Sequence, residues 1–218
     1  LVIVAGFQGM TVDGEVTTLG RGGSDTTATA LGVALKADYV DIFTDVDGVM
    51  TADPKLVEDA KLLPSVTYTE LANLAHQGAK VMHPRSVALA MQGNLKIRIR
   101  STHRTDVGTV ITPALGEVSP FQDRPITGIT YMPNLTQVKV MAESGQYDLQ
   151  LKVFKCMAEH GISVDFINVS PAGVAFTIPD AKAEKAKVLI QQLGYQPQMK
   201  SSCAKVSAVG AGMAGLPG

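Results

Sequence analysis

The chain has no tryptophan, two cysteines, and aromatic residues at 5% of its 218 positions. Two distant thiols, Cys156 and Cys203, cannot build a disulfide framework and do not have metal-ligand spacing. They read as structural thiols of a reducing compartment. Charge of one sign is also missing: 19 Lys and Arg stand against 20 Asp and Glu, a net of −1. That balance excludes the basic footprint of a nucleic-acid or membrane-surface binder. No apolar run approaches the ~18 residues of a membrane span, and the opening residues do not show the charged and apolar regions of a secretory signal. The expectation is a cytoplasmic protein. Its hydrophobic content of 45% is enough for a real core, and the length has room for one large domain or two small ones.

The most informative stretch present is Thr17-Thr18-Leu19-Gly20-Arg21-Gly22-Gly23-Ser24-Asp25. It follows an apolar run, Leu1 to Ala5, read as a buried parallel strand, and precedes an Ala- and Leu-rich helical pattern, Thr26 to Lys36. A glycine-rich loop at a helix start can hold anions on backbone N–H groups. Arg21 adds a planar fork matched to carboxylate or phosphate. Ser24 and Asp25 are good helix caps. The nine residues match neither of the common phosphate loops, G-x-x-x-x-G-K-[ST] and G-x-G-x-x-G. A tight turn with a cap and a site for two anions therefore both remain open on these residues alone.

The rest of the chain reads as α/β, then α+β. Asp13-Gly14 signals a hairpin arm before Thr18. Tyr39 to Phe43 is a second buried strand ending at Thr44-Asp45, and ligands of open α/β sheets bind beyond such ends. Thr67-x-x-Glu70 is a capping box opening a helix to about Gln77, with Gly78 as its stop. Pro84 opens the next helix at its first position, and Leu95 to Arg100 and Val110-Ile111 read as strands. Arg98 and Arg100 share one strand face, where acidic neighbours could meet them. The four histidines, His76, His83, His103 and His160, do not form a ligand set with metal spacing, and each reads as surface or capping. Residues 114–125 form the linker, with Pro and Gly. Beyond it, strands at 127–131 and 137–141, a helix at 149–159, strands at 162–169 and 174–178, a helix at 181–193 and a strand at 195–199 give β-α-β-β-α-β, a ferredoxin-like unit.

Residues 17–25 resemble the substrate loop of aspartate kinases, within the amino-acid kinase family. Thr44-Asp45-Val46-Asp47-Gly48-Val49-Met50-Thr51-Ala52-Asp53-Pro54 resembles that family's nucleotide segment, and Gly78-Ala79-Lys80-Val81-Met82-His83-Pro84 its second one. The resemblance is nearest to the Gram-positive type. It implies the C-terminal part of an amino-acid kinase domain at 1–113, a parallel-rich sheet with helices on both faces. It also implies an ACT regulatory domain of ferredoxin-like α+β fold at 126–203 and the start of a second ACT domain at 204–218. On this reading the sequence is an internal fragment lacking an N-terminal lobe with a lysine-containing motif, and is inactive alone.

The implied activity is ATP-dependent phosphorylation of the side-chain carboxylate of L-aspartate to 4-phospho-L-aspartate, the first step toward lysine, threonine, methionine and diaminopimelate. By resemblance Arg21 holds the substrate α-carboxylate, Gly22 and Gly23 let backbone amides approach, Ser24 hydrogen-bonds substrate, and Asp25 orients the catalytic lysine. Simple capping by Ser24 and Asp25 can coexist with these roles. Thr44, Asp45, Met50, Asp53, Pro54, Lys55 and Lys80 are the candidate nucleotide contacts. Met50 stands where many relatives have Tyr, and Lys55 where Arg is common. The bland alternatives are an ordinary strand-end cap for Thr44-Asp45 and a solvated side chain for Lys80. ATP would bring Mg²⁺, and no protein metal ligand is assigned. In the ACT-like region Ser144, Gly145, Gln146 and Tyr147, at a helix start, with Asp165, Ile167 and Asn168, are candidates for a feedback amino acid: lysine, threonine or diaminopimelate. Pairing with another ACT unit alone is the alternative, and a homodimer through ACT domains is expected. The competing functions are another amino-acid kinase and a non-catalytic regulatory fragment.

Overall fold

The structure is a computed structural model that describes residues 1–79, 81–113, 125–142 and 148–210. It divides into two compact units, residues 1–131 with 206–218, and Met132–Lys205. The expected linker at 114–125 lies almost wholly outside the described residues.

In the first unit a short hairpin, β1 (Gln8–Met10) and β2 (Val16–Thr18), precedes helix α1 (Gly23–Ala34). Strand β3 (Val40–Thr44), strand β4 (Ser65–Thr67), helix α2 (Tyr68–His76), helix α3 (Pro84–Gln92), and strands β5 (Ile97–Ser101) and β6 (Thr109–Thr112) follow. The sheet order is β3-β5-β6-β4. β3 is parallel to β5 and β4 to β6, while β5 and β6 run antiparallel.

The packing follows from the pattern. β5 alternates, with Ile97, Ile99 and Ser101 buried and Arg98 and Arg100 on the other face. Val66, Leu71, Leu74, Val87, Ile97, Ile99 and Ile111 form the centre of the core. α1 presents small buried residues, Thr26, Thr29 and Gly32. A Cβ on Gly32 would lie 2.4 Å from Val40 and 2.8 Å from Leu95, so this glycine sets the approach of helix to sheet.

The capping box of α2 forms as the sequence predicts. Thr67 Oγ1 accepts from the Glu70 amide at 3.2 Å, and Glu70 Oε2 accepts from the Thr67 amide at 2.8 Å. Glu70 is buried, and its second oxygen accepts from the Thr127 hydroxyl, which satisfies a carboxylate that burial would otherwise penalise.

The second unit contains helices α4 (Leu149–Glu159) and α5 (Ala183–Gln192), strands β8 (Asp165–Ser170) and β9 (Gly173–Pro179), and parts of the long strands β7 (Gly128–Met141) and β10 (Gln198–Val209). The sheet order β10-β7-β9-β8 is that of a ferredoxin-like unit. Val138, Val140, Leu149, Val153, Met157, Phe176 and Ile190 are its centre, with Phe154 set edge-on to Phe176 at 5.5 Å.

Several expectations need correction. Residues 1–5 form no strand and are exposed, because an apolar run becomes a buried strand only with pairing neighbours, and none is present among the described residues. The strands expected at 127–131 and 137–141 are one strand, β7. Asn134 takes φ 59° inside the strand, a conformation asparagine tolerates. β8 begins at Asp165, later than expected, and has a register irregularity between Asp165 and Asn168, with Phe166 at φ 48°. β10 runs unbroken through residues 198–209, well past the strand expected at 195–199. β4 was not anticipated, since three residues are too few to show a period.

Candidate functional site

Gly22 is the N-cap of α1, in the left-handed region at φ 71°, ψ 16°. A Cβ there would be strained and would lie 2.2 Å from His83 Cβ. Only glycine fits, and the fit seats the turn on the residue before Pro84. The turn is also held from its other sides. Arg85, in α3, donates to the Leu19 carbonyl at 3.2 Å. A Cβ on Gly23 would meet Phe7 at 2.8 Å and Leu19 at 3.0 Å.

The helix start differs from the capping expectation. α1 begins at Gly23, so Ser24 and Asp25 lie in its first turn, and neither caps it. The threonines that follow do the local bonding. Thr26 Oγ1 donates to the Gly22 carbonyl at 2.7 Å and Thr27 Oγ1 to the Gly23 carbonyl at 2.9 Å. These backward bonds are a common use of threonine in a helix, and they are not legible in the sequence because they depend on where the helix starts. Ser24 is exposed and Asp25 half-buried. Arg21 is exposed, and its guanidinium makes no hydrogen bond or ion pair with any described residue. First-turn amides lack partners within the helix, so this turn offers amide donors and an uncommitted arginine together.

The second predicted segment begins at the end of β3. Thr44 Oγ1 donates to Asp45 Oδ1 at 3.0 Å, and the Thr44 carbonyl accepts from the Thr102 amide at 2.9 Å. Met50 bridges to Leu62. Asp53 Oδ1 accepts from the Lys55 amide at 2.9 Å, closing the Asp53-Pro54-Lys55 turn and leaving Lys55 exposed. Among the described residues no hydrogen bond or ion pair joins the turn at 20–25 to residues 44–55. Lys80 lies outside the described residues. A cavity of about 280 Å³ opens beside Thr51 and Ala52, with Leu63, Glu70, Thr127 and Ile129 among its walls, and neither Arg21 nor Lys55 lines it.

His83 is the N-cap of α3, as capping residue. Its Nδ1 accepts from the Arg85 amide at 3.2 Å. Arg98 and Arg100 meet the acidic neighbour the sequence allowed for, Asp41. Arg98 binds both of its oxygens at 2.5 and 2.7 Å, and Arg100 reaches one at 3.1 Å. The hydrogen bond from Arg98 holds the Asp41 carboxyl below its usual range. Arg104, which the sequence reading did not single out, pairs with Asp106 at 2.6 Å and with Asp47 of the second segment at 3.5 Å.

Of the candidates in the second unit, Ser144, Gly145, Gln146 and Tyr147 lie outside the described residues. Asp165 and Asn168 are on β8, flanking its irregularity. The Asp165 carboxylate pairs with Lys205, which holds it below the usual range. Among the described residues there is no group of three or more His, Cys, Asp or Glu placed to hold a metal ion, and no helix is long and apolar enough to cross a membrane.

Comparison with known proteins gives a consistent result. Residues 1–101 match the model of the amino acid kinase family. Over its whole length the chain is 55% identical to Aspartokinase 1 of Bacillus subtilis (strain 168), covering 54% of that protein. It thus spans about half the length of the curated relatives it matches. The Clostridium acetobutylicum aspartate kinase structure superposes on 97% of this chain and 50% of its own, with TM-score 0.84 and 28% identity. E. coli aspartokinase III, solved in complex with aspartate and ADP, superposes on 94% of this chain and 47% of its own, with TM-score 0.75 and 30% identity. The same enzyme in complex with lysine and aspartate gives 0.74 and 31% over the same shares.

Proposed function

For a chain that belongs to the aspartokinases of the amino acid kinase family, we propose that the protein containing it transfers the γ-phosphoryl group of ATP to the side-chain carboxylate of L-aspartate. The observation that carries this reading is the uncommitted Arg21 on the glycine turn that opens α1. Phosphoryl transfer asks little covalent chemistry of the protein; it asks that two anions be aligned and their charge offset. Arg21 suits the aspartate α-carboxylate as a bidentate partner. Gly22 and Gly23 let first-turn amides approach, and Ser24 is open to a ligand hydrogen bond. Asp25 repels phosphate and is better suited to orient a cation.

Thr44, Asp45, Met50, Asp53, Pro54, Lys55 and Lys80 are assigned to the nucleotide. Lys55 supplies a point charge to phosphate where Arg would supply a fork. Mg²⁺ accompanies ATP, coordinated largely by phosphate and water. The site is read as cytoplasmic, in keeping with the reduced thiols.

The second unit is read as the ACT regulatory domain, answering to a feedback amino acid and pairing with its copy in a homodimer. β8 supports the pairing: it is an edge strand with Phe166, Ile167 and Val169 all more than half exposed. Asp165 is already engaged by Lys205, so an effector that used it would exchange an ion pair.

The direct test is ADP release by the full-length protein. Turnover with aspartate well above that with glutamate is expected. Turnover with another acceptor and none with aspartate would replace this reading.

A further inference from the structure

We propose that Thr109 is a positioning residue for the nucleotide: its buried hydroxyl fixes the base of the loop that begins at Thr44, and so sets where that loop meets ATP. This rests on the nucleotide reading of residues 44–55 and adds to it a residue that itself touches no ligand.

The loop leaves β3 at Thr44 and returns to β4 at Ser65. Its two arms bridge at Met50 and Leu62 and come together beside that bridge, at Val49 and Leu63. A regular antiparallel pair at that place exchanges two backbone bonds. Here one is direct: the Leu63 amide donates to the Val49 carbonyl at 2.8 Å. The other is relayed. Thr109 Oγ1 accepts from the Val49 amide at 2.9 Å and donates to the Leu63 carbonyl at 2.6 Å. A hydroxyl can do both at once. All three residues are buried, so neither backbone group has water as a substitute. Gly48 makes room for the relay: a Cβ there would lie 2.5 Å from Thr109 Oγ1.

The sheet does not need this hydroxyl. Pairing of β6 with β4 runs from Val110 and Ser65 onward and holds β6 by backbone bonds alone. What Thr109 adds is the hold on Val49. The connection between β5 and β6 also grips the near flank of the loop. The Thr102 amide and hydroxyl both donate to the Thr44 carbonyl, at 2.9 and 3.3 Å, and Arg104 reaches Asp47 at 3.5 Å. Between these ties Asp45 and Val46 are exposed. The loop is fixed at its base and open where a ligand can reach it. A loop already held in its binding geometry gives up little freedom on binding.

Substitutions in the full-length protein test this. Thr109→Val stays close in shape and removes the relay. The expected result is a Kd for ADP with Mg²⁺, by calorimetry, raised about 10- to 100-fold, the scale of displaced binding groups. KM for ATP should rise alike, with KM for aspartate unchanged. Thr109→Ser keeps the hydroxyl and should recover most of the ADP affinity. Thr109→Val will also melt lower, so Thr67→Ala, which loses a cap on α2, serves as the stability control: a lower Tm with wild-type ADP affinity. Wild-type ADP affinity in Thr109→Val would overturn the proposal. So would equal rises in KM for ATP and aspartate, or a Thr109→Ser variant no better than Thr109→Val, since a purely structural role gives those. Lys55→Met tests the nucleotide reading separately. Weaker ADP binding in Lys55→Met beside wild-type binding in Thr109→Val would keep that reading and overturn the proposal. Weaker binding in Thr109→Val alone would keep the proposal and remove Lys55 from the nucleotide site. Wild-type binding in both would overturn both.

Discussion

Two regions of the first unit carry arginines, the glycine turn at Arg21 and the strand β5 with Arg98 and Arg100, and the fold engages them differently. Arg98 and Arg100 sit on the outer face of β5, and their hydrogen-bonding capacity is largely taken. Asp41 receives both, the Thr105 and Asp106 carbonyls accept from Arg100 at 3.2 and 3.0 Å, and Arg98 lies 3.7 Å from the centre of the Tyr39 ring. Arg21 has the same guanidinium and none of these partners among the described residues. A fork so largely engaged is a structural tie. A fork left open on a turn held by Gly22, His83 and Arg85 is available to a ligand. The difference lies in the neighbours: one pair of arginines is tied into the structure, and Arg21 is left open for the binding role proposed for it.

The largest expected effect tests the open fork. Arg21→Ala in the full-length protein should lower kcat/KM for aspartate by about 10²–10³, the scale of losing an oriented charged donor, with Tm unchanged. Steady-state kinetics beside a thermal melt will show both. Next comes the turn that holds it. Gly22→Ala forces a left-handed alanine, at about 1–2 kcal/mol, and pushes a methyl into His83. Both activity and urea midpoint should fall.

The closed fork gives a smaller effect of the opposite kind. Asp41→Asn should lower Tm by about 2–4 °C and leave KM for aspartate alone. Its pH dependence has a definite sign. The Asp41 pKa is lowered in the folded state, below its ordinary 3.8, so the ion pair contributes fully above that value and is lost as pH falls through the folded one. Acid titration of Tm should therefore be steeper for wild type than for Asp41→Asn, and equal slopes would refute the assignment. The smallest effect is expected at the α2 cap. Thr67→Ala should cost about 1 kcal/mol, read from urea unfolding, and should not change kcat.

Much of this fold was legible. Thr67-x-x-Glu70 and Pro84 announced two helix starts because caps are local chemistry, set within four residues. The helix 149–159 was read with its observed bounds, since Leu149, Val153, Cys156 and Met157 repeat at helical spacing. What failed was what depends on distant partners. Leu1 to Ala5 has strand composition and no described strand to pair with, and the two strands expected at 127–131 and 137–141 are one, β7. The candidate site was legible as residue types and as a family resemblance. The seat of Gly22 on His83 was not, because the two positions meet only once α1 and α3 pack. Nor could sequence pair Asp41 with Arg98 and Arg100; that needed the register of β3 on β5, which sets Asp41 beside Arg98.

The central claim, that Arg21 is reserved for a substrate carboxylate, is tested most directly by the aspartate-induced rise in Tm of the full-length protein. A ligand that binds only the folded state stabilises it by RT ln(1 + [L]/Kd), so Tm keeps rising with ligand concentration above Kd. The account predicts a clear, concentration-dependent rise for wild type and for Asp41→Asn, and none at the same aspartate concentrations for Arg21→Ala. An equal rise in Arg21→Ala would contradict it.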